Sequence, residues 1–160
     1  MDGSLVVLKL FLDELGIDTK IESLNDRKRV QKAVYLGQLS GIDLGYRFGW
    51  YLLGPYSTSL ARDYYELADE IDLGELPPAG RQLKGPIRER LAKIVPILEP
   101  PEGFSESPED WLELLASYHY LLRIQKLDKN KTLKELSSSK PRLSPYADMA
   151  KTVLSDASLL

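Results

Sequence analysis

The segment Tyr46-Arg-Phe-Gly-Trp-Tyr-Leu-Leu-Gly-Pro-Tyr-Ser57 constrains this chain more than any other stretch, because it sets five aromatic side chains within a dozen residues and ends on a helix-capping serine. Ser57 is placed to accept a hydrogen bond from a free backbone N–H of the turn that follows, so a helix is expected from Thr58. Gly54-Pro55 reads as the turn that redirects the chain just before it. Tyr46, Phe48, Trp50 and Leu52 alternate with Arg47, Gly49, Tyr51 and Leu53, a period-two pattern compatible with one short strand. The pattern also fits an extended segment buried among helices.

Helical periodicity accounts for most of the remainder. Leu5, Leu8, Leu12 and Leu15 form one stripe over about residues 4–15, with Gly16 as its stop. A second helix is expected from a cap at Asn25 or Asp26 to about Ser40, burying Val30, Ala33, Val34 and Gly37 while Arg27, Lys28 and Lys32 point elsewhere. The helix from Thr58 to about Glu70 places Leu60, Ala61, Tyr64, Leu67, Ala68 and Ile71 on one face. Pro86 opens a fourth helix, which Pro96 should bend or cut. Ser107-Pro-Glu-Asp110 is a start signal with a cap, a first-turn proline and acids at the positive end of the helix dipole. Two short helices follow, from about Thr132 and from Ser144-Pro145. The reading is a mainly α, compact helical domain with at most one or two short strands. It is a single domain over 1–160, with an N-terminal part over 1–75 and a C-terminal part over 81–160.

The chain has 160 residues and a net charge of −3, and the charge is unevenly spread. Residues 61–80 carry six acids against one base, whereas residues 81–100 carry five bases against two acids. No run approaches the roughly 20 apolar residues needed to cross a bilayer. No basic, apolar leader pattern is present at the start, so a cytoplasmic protein with no membrane partner is expected. The chain holds no cysteine and one histidine, which leaves no thiolate nucleophile or thiolate metal site. His119 has Ser117 two residues away on the same helix, and such residues do not face each other. It is read as a packing or surface histidine rather than a catalytic base. No Walker-type glycine loop or calcium loop is present. The expectation is therefore a protein without catalytic residues, metal or cofactor.

Two surface readings compete. Tyr56, Tyr64 and Tyr65, with Asp63 and Glu66, would form an aromatic, acidic face suited to another protein. Arg27, Lys28, Arg29 and Lys32, with Arg88 on the fourth helix, would form a basic face suited to nucleic acid. The helix from Thr58 is too acidic to read a major groove well. Gln31 carries a separate expectation, a buried hydrogen bond to the Tyr46–Ser57 corner.

The ordered set of Arg29-Val-Gln-Lys-Ala-Val-Tyr-Leu36, Tyr46-x-Phe-x-Trp-Tyr-Leu-x-Gly-Pro-Tyr-Ser57 and Leu60-x-x-Asp-Tyr-x-x-Leu67 resembles prokaryotic proteins of the YwgA type. It is more distantly similar to the Panacea (SocA-like) antitoxin domain. Leu112-Glu-Leu-Leu-Ala-Ser-x-His-Tyr-Leu121 and Lys140-Pro-x-x-Ser144 extend the likeness, which touches most of residues 25–155. The resemblance implies a small winged-helix-like element, no catalytic machinery, and a role in toxin control, phage defence or regulation. Pro77-Pro78-Ala-Gly80 stands where a wing hairpin would follow the Thr58 helix, a departure from the winged pattern.

Overall fold

Five of the seven helices begin where a side chain accepts from a free backbone N–H, and the computed structural model describes all 160 residues. Helix α1 (Gly3–Leu15) is capped by Asp2 and ends at Gly16, whose φ of +70° suits a residue without Cβ. Its Leu5, Leu8, Leu12 and Leu15 stripe is buried as expected. Helix α2 (Leu24–Gln38) starts earlier than the sequence suggests. Ser23 accepts from the Asp26 amide while the Asp26 carboxylate accepts from the Ser23 amide, a reciprocal cap that fixes the first turn.

The aromatic segment forms a hairpin rather than a lone strand. Strand β1 (Gly49–Tyr51) pairs antiparallel with β2 (Gly54–Tyr56), in the register Gly49 to Tyr56 and Tyr51 to Gly54. The turn is therefore Leu52-Leu53, and Gly54-Pro55 lies inside the second strand. Gly54 has φ +98°, the left-handed geometry this tight reversal needs. Pro55 has no N–H to give, which a two-stranded ribbon tolerates.

Ser57 then caps α3 (Thr58–Asp72) by accepting from the Leu60 amide. Between α3 and the next helix, no strand forms, and the only hairpin of the chain precedes α3. Helix α4 (Gly85–Leu98) runs through Pro96, which falls in the last turn and ends the helix two residues later rather than cutting it short. Helix α5 (Pro108–His119) starts on Ser107 as expected and continues into a π-helical turn, Tyr120–Ile124. Helix α6 (Lys129–Ser139), a 3-10 turn at Ser144–Tyr146 and α7 (Ala147–Asp156) complete the chain.

Seven helices and one short hairpin make a mainly α domain around one continuous core. Helix α5 is its axis, packed by α2 and β2 on one side and α7 on another. Trp111, Leu114, Leu115 and Tyr118 are buried there, and the Trp111 indole N–H donates to the Ile97 carbonyl at 2.9 Å. No helix is long and apolar enough to cross a membrane. Helix α1 meets α2 at Gly37, where an added Cβ would lie 2.6 Å from the Phe11 ring. Gly37→Ala should therefore cost about 1–3 kcal/mol despite the better helix propensity of alanine, read as a lower urea midpoint. An unchanged midpoint would mean that the ring moves aside freely.

Candidate functional site: a lysine-carboxylate cluster beneath the hairpin

Helices α2 and α5 face each other with polar residues at helical spacing on both inner faces. Helix α2 contributes Lys28, Gln31, Lys32 and Tyr35, and α5 contributes Asp110, Glu113, Ser117 and His119. All eight are buried. Burying charge is costly unless each group is paired and hydrogen-bonded, so the geometry of the pairs decides whether the arrangement holds.

The pairs are close. Lys28 Nζ donates to Asp110 Oδ1 at 2.8 Å and to Glu113 Oε1 at 3.0 Å. Lys140, from the loop after α6, donates to the second Glu113 oxygen at 2.8 Å. Arg142 closes the outer side, with contacts to Asp110 at 2.7 and 3.2 Å and to Glu106 at 2.6 Å. The Arg142 hydrogen bond is the main reason the Asp110 carboxyl lies well below the usual carboxylate range. Burial pushes the Lys28 ammonium down, but Asp110 and Glu113 outweigh it and hold the group above the ordinary lysine value.

Lys32 differs from the others. Its side chain is 1% exposed, no carboxylate lies within ion-pair distance, and Nζ donates to the Pro55 carbonyl at 2.7 Å. Burial pushes its pKa down to about 7. The inner set thus has three lysines for two carboxylates, and Lys32 is the one free to lose its proton.

This cluster fastens the hairpin from below. Besides the Lys32 bond to Pro55, Lys140 Nζ donates to the Leu52 carbonyl at 3.1 Å and sits 5.3 Å from the centre of the Trp50 ring. Gln31 donates to the Ser57 carbonyl and accepts from the Ser57 amide, both at 2.9 Å, which is the buried bond anticipated for that residue. Gly54 lets the strand approach α5 closely, since a Cβ there would lie 2.5 Å from Ser117 Oγ. A two-stranded ribbon is marginal alone, so these bonds to its carbonyls fix its position.

The sequence-nominated residues divide unequally. Tyr56, Tyr64, Tyr65, Arg27, Lys28 and Lys32 converge on one cleft of about 140 Å³ between α2, the hairpin and α3. The basic face expected of Arg27, Lys28, Arg29 and Lys32 does not form. Lys28 and Lys32 are committed to the interior, because α2 is enclosed on nearly all sides rather than half-exposed. Arg27 donates to the Ile21 and Glu22 carbonyls, and Arg29 pairs with Asp26 and Glu109. Tyr64 is buried rather than presented, and burial pushes its phenol up to about 12. Asp63 is half-buried and accepts from the Tyr46 hydroxyl at 2.8 Å. Glu66 and Tyr65 stay exposed on α3. Arg88 lies apart, held by Glu14 at 2.7 Å and Gln82 at 3.3 Å.

Glu113, Asp110, Lys140 and Arg142 escape sequence reasoning, which reads Asp110 only as an acid at the start of a helix. The available signal was the 3–4 spacing of Asp110, Glu113 and Ser117 beside buried Leu114, facing an equal polar spacing on α2. His119 is a buried packing residue, 2.6 Å through Nδ1 from the Tyr35 hydroxyl. Burial pushes its pKa down to about 4, so the neutral ring accepts from the phenol through Nδ1. Ser117 Oγ has no hydrogen-bond partner, and no three or more metal-ligating side chains gather anywhere in the chain. No family model matches the sequence, and neither the curated proteins nor the solved structures searched contain a match.

Proposed function

We propose that the chain is a non-catalytic protein-interaction module, antitoxin- or adaptor-like, serving toxin control or phage defence in the cytoplasm. The observation that carries this reading is a hairpin whose backbone is fastened by buried lysines while its turn stands in solvent. Leu52 is 88% exposed at the tip, with Tyr51, Leu24 and Tyr65 also exposed and large. Tyr51 packs on Tyr56, 5.2 Å between ring centres, and Tyr56, Leu24 and Tyr65 line the cleft beside it. Rigid aromatic and aliphatic anchors around a small pocket are what binding hot spots are made of. Glu66 and the acids of α3 add a negative border, which favours a partner with basic groups around an apolar side chain. The resemblance to the YwgA-type and Panacea proteins supports the same reading.

The nucleic-acid reading keeps one supporting observation. Arg81, Lys84, Arg90 and Lys93 are exposed around α4, and none has a carboxylate partner. It predicts duplex binding that weakens steeply with salt.

Leu52→Asp, Tyr65→Ala and Glu66→Lys test the principal reading, since all three positions are exposed and the fold should survive. Each is expected to weaken capture of the partner that the wild type recovers, the first two by at least about tenfold. Recovery of no partner, or equal capture by all variants, would refute the interaction module.

A further inference from the structure

A second concavity, of about 400 Å³, lies between the C-terminal end of α2, residues 39–48 and the π-helical turn. Its walls are the rings of Tyr35, Tyr46, Phe48 and Tyr120. Two of the three hydroxyls on these walls are already engaged elsewhere. The Tyr35 hydroxyl is bonded to His119 and the Tyr46 hydroxyl to Asp63. Gln38, also in the wall, spends its amide on the Tyr46 carbonyl and the Leu44 amide. Among the hydroxyls of these rings only that of Tyr120 has no hydrogen-bond partner, so the interior offers ring surface and one unengaged hydroxyl.

The rings are set at different angles. Phe48 meets Tyr35 edge-on at 5.2 Å and 85°, and Tyr120 is tilted by 52° to Tyr35 at 6.3 Å. Walls of this kind give a flat ring both edge and face contacts, the arrangement aromatic pairs favour. The remaining wall is the widened π turn, closed by the Gln125 amide on the Tyr120 carbonyl at 2.9 Å. Single π turns of this kind recur at functional sites.

The mouth holds a cation and an anion side by side. Arg47 NH1 lies 3.2 Å from Asp43 Oδ1, and both side chains are largely exposed. Asp43 Oδ1 also accepts the Gly45 amide at 2.7 Å, which orients the carboxylate before any ligand arrives. A ligand with a single charge would be attracted by one member of this pair and repelled by the other. A ligand carrying both charges meets both members favourably.

We propose that this pocket binds a free aromatic zwitterion, a planar ring bearing neighbouring ammonium and carboxylate groups, with the ring among the four aromatics. The carboxylate lies against Arg47 and the ammonium against Asp43. The site is separate from the hairpin tip and does not depend on the interaction reading.

Titration of the 15N-labelled protein with L-phenylalanine tests this, read by amide shifts of Phe48, Tyr120 and Ile124. Saturable shifts at these amides with a Kd of about 1 mM are expected for a ligand of this size. Hydrocinnamate and phenethylamine, which keep the ring and one charge, should each bind about threefold more weakly or worse, as should cyclohexylalanine, which loses the flat ring. R47Q and D43N alter exposed side chains and should each weaken phenylalanine by about threefold. No saturable shift at the three amides would overturn the site. Equal binding of the singly charged analogues, or indifference to both substitutions, would overturn its zwitterion character.

Discussion

Glu113→Gln is expected to lower the unfolding free energy by about 3–5 kcal/mol, although it removes a charge and almost no volume. The carboxylate takes Lys28 on one oxygen and Lys140 on the other, at 3.0 and 2.8 Å. With it neutralised, Lys140 loses its only ion-pair partner while remaining 5% exposed. An uncompensated buried charge is the expensive outcome; the intact pair itself contributes little beyond an apolar equivalent. A combined variant, Glu113→Leu with Lys140→Met, should therefore recover much of the loss. Urea denaturation followed by far-UV circular dichroism measures both. A loss under about 1 kcal/mol for Glu113→Gln would show that water reaches the cluster and screens it.

Stability should also rise with pH between about 7 and 10, because of Lys32. Its folded pKa is near 7, whereas an unfolded lysine titrates at the ordinary value of 10.5. Across that window the unfolded chain binds the extra proton, so raising the pH favours the folded state. The full span amounts to roughly 4–5 kcal/mol if the burial is complete. Glu113, Lys140 and Lys28 are the charged groups acting on Lys32. Above about pH 10 the sign reverses, because burial raises the phenols of Tyr35, Tyr46 and Tyr64 and the unfolded tyrosines ionise first. Lys32→Met should flatten the rise between pH 7 and 10, measured as urea midpoints over that range. His119 acts in the same direction lower down, with stability gained as pH rises from about 4 towards its ordinary 6.5. A wild-type profile that is flat from pH 7 to 10 would mean that Lys32 keeps its proton or is solvated.

What could be read in advance was local. The α1 stripe, the Ser57 and Ser107 caps and the buried role of Gln31 each depend on residues within a turn or two, or on one side chain meeting one strand. The cluster beneath the hairpin could not be read this way. Lys28 meets Asp110 and Glu113 across 82 and 85 residues of chain, and periodicity says nothing about distant partners. Lysine was accordingly assigned to the outside, where it is usually found. The hairpin turn was misplaced for a related reason. Gly54-Pro55 is a stronger turn signal than Leu52-Leu53, yet Gly54 is needed inside β2, where the strand nearly touches Ser117. A leucine turn in water departs from ordinary sequence rules, and such departures concentrate where a surface has work to do.

Site-specific photocrosslinking in the native cell tests that surface directly. A photoreactive side chain placed at Leu52 or at Tyr65 should give the same single crosslinked protein, and one placed at Arg88 should not. Absence of a crosslink from the hairpin and α3 positions, or an identical pattern from position 88, would contradict a partner docked on the fastened hairpin.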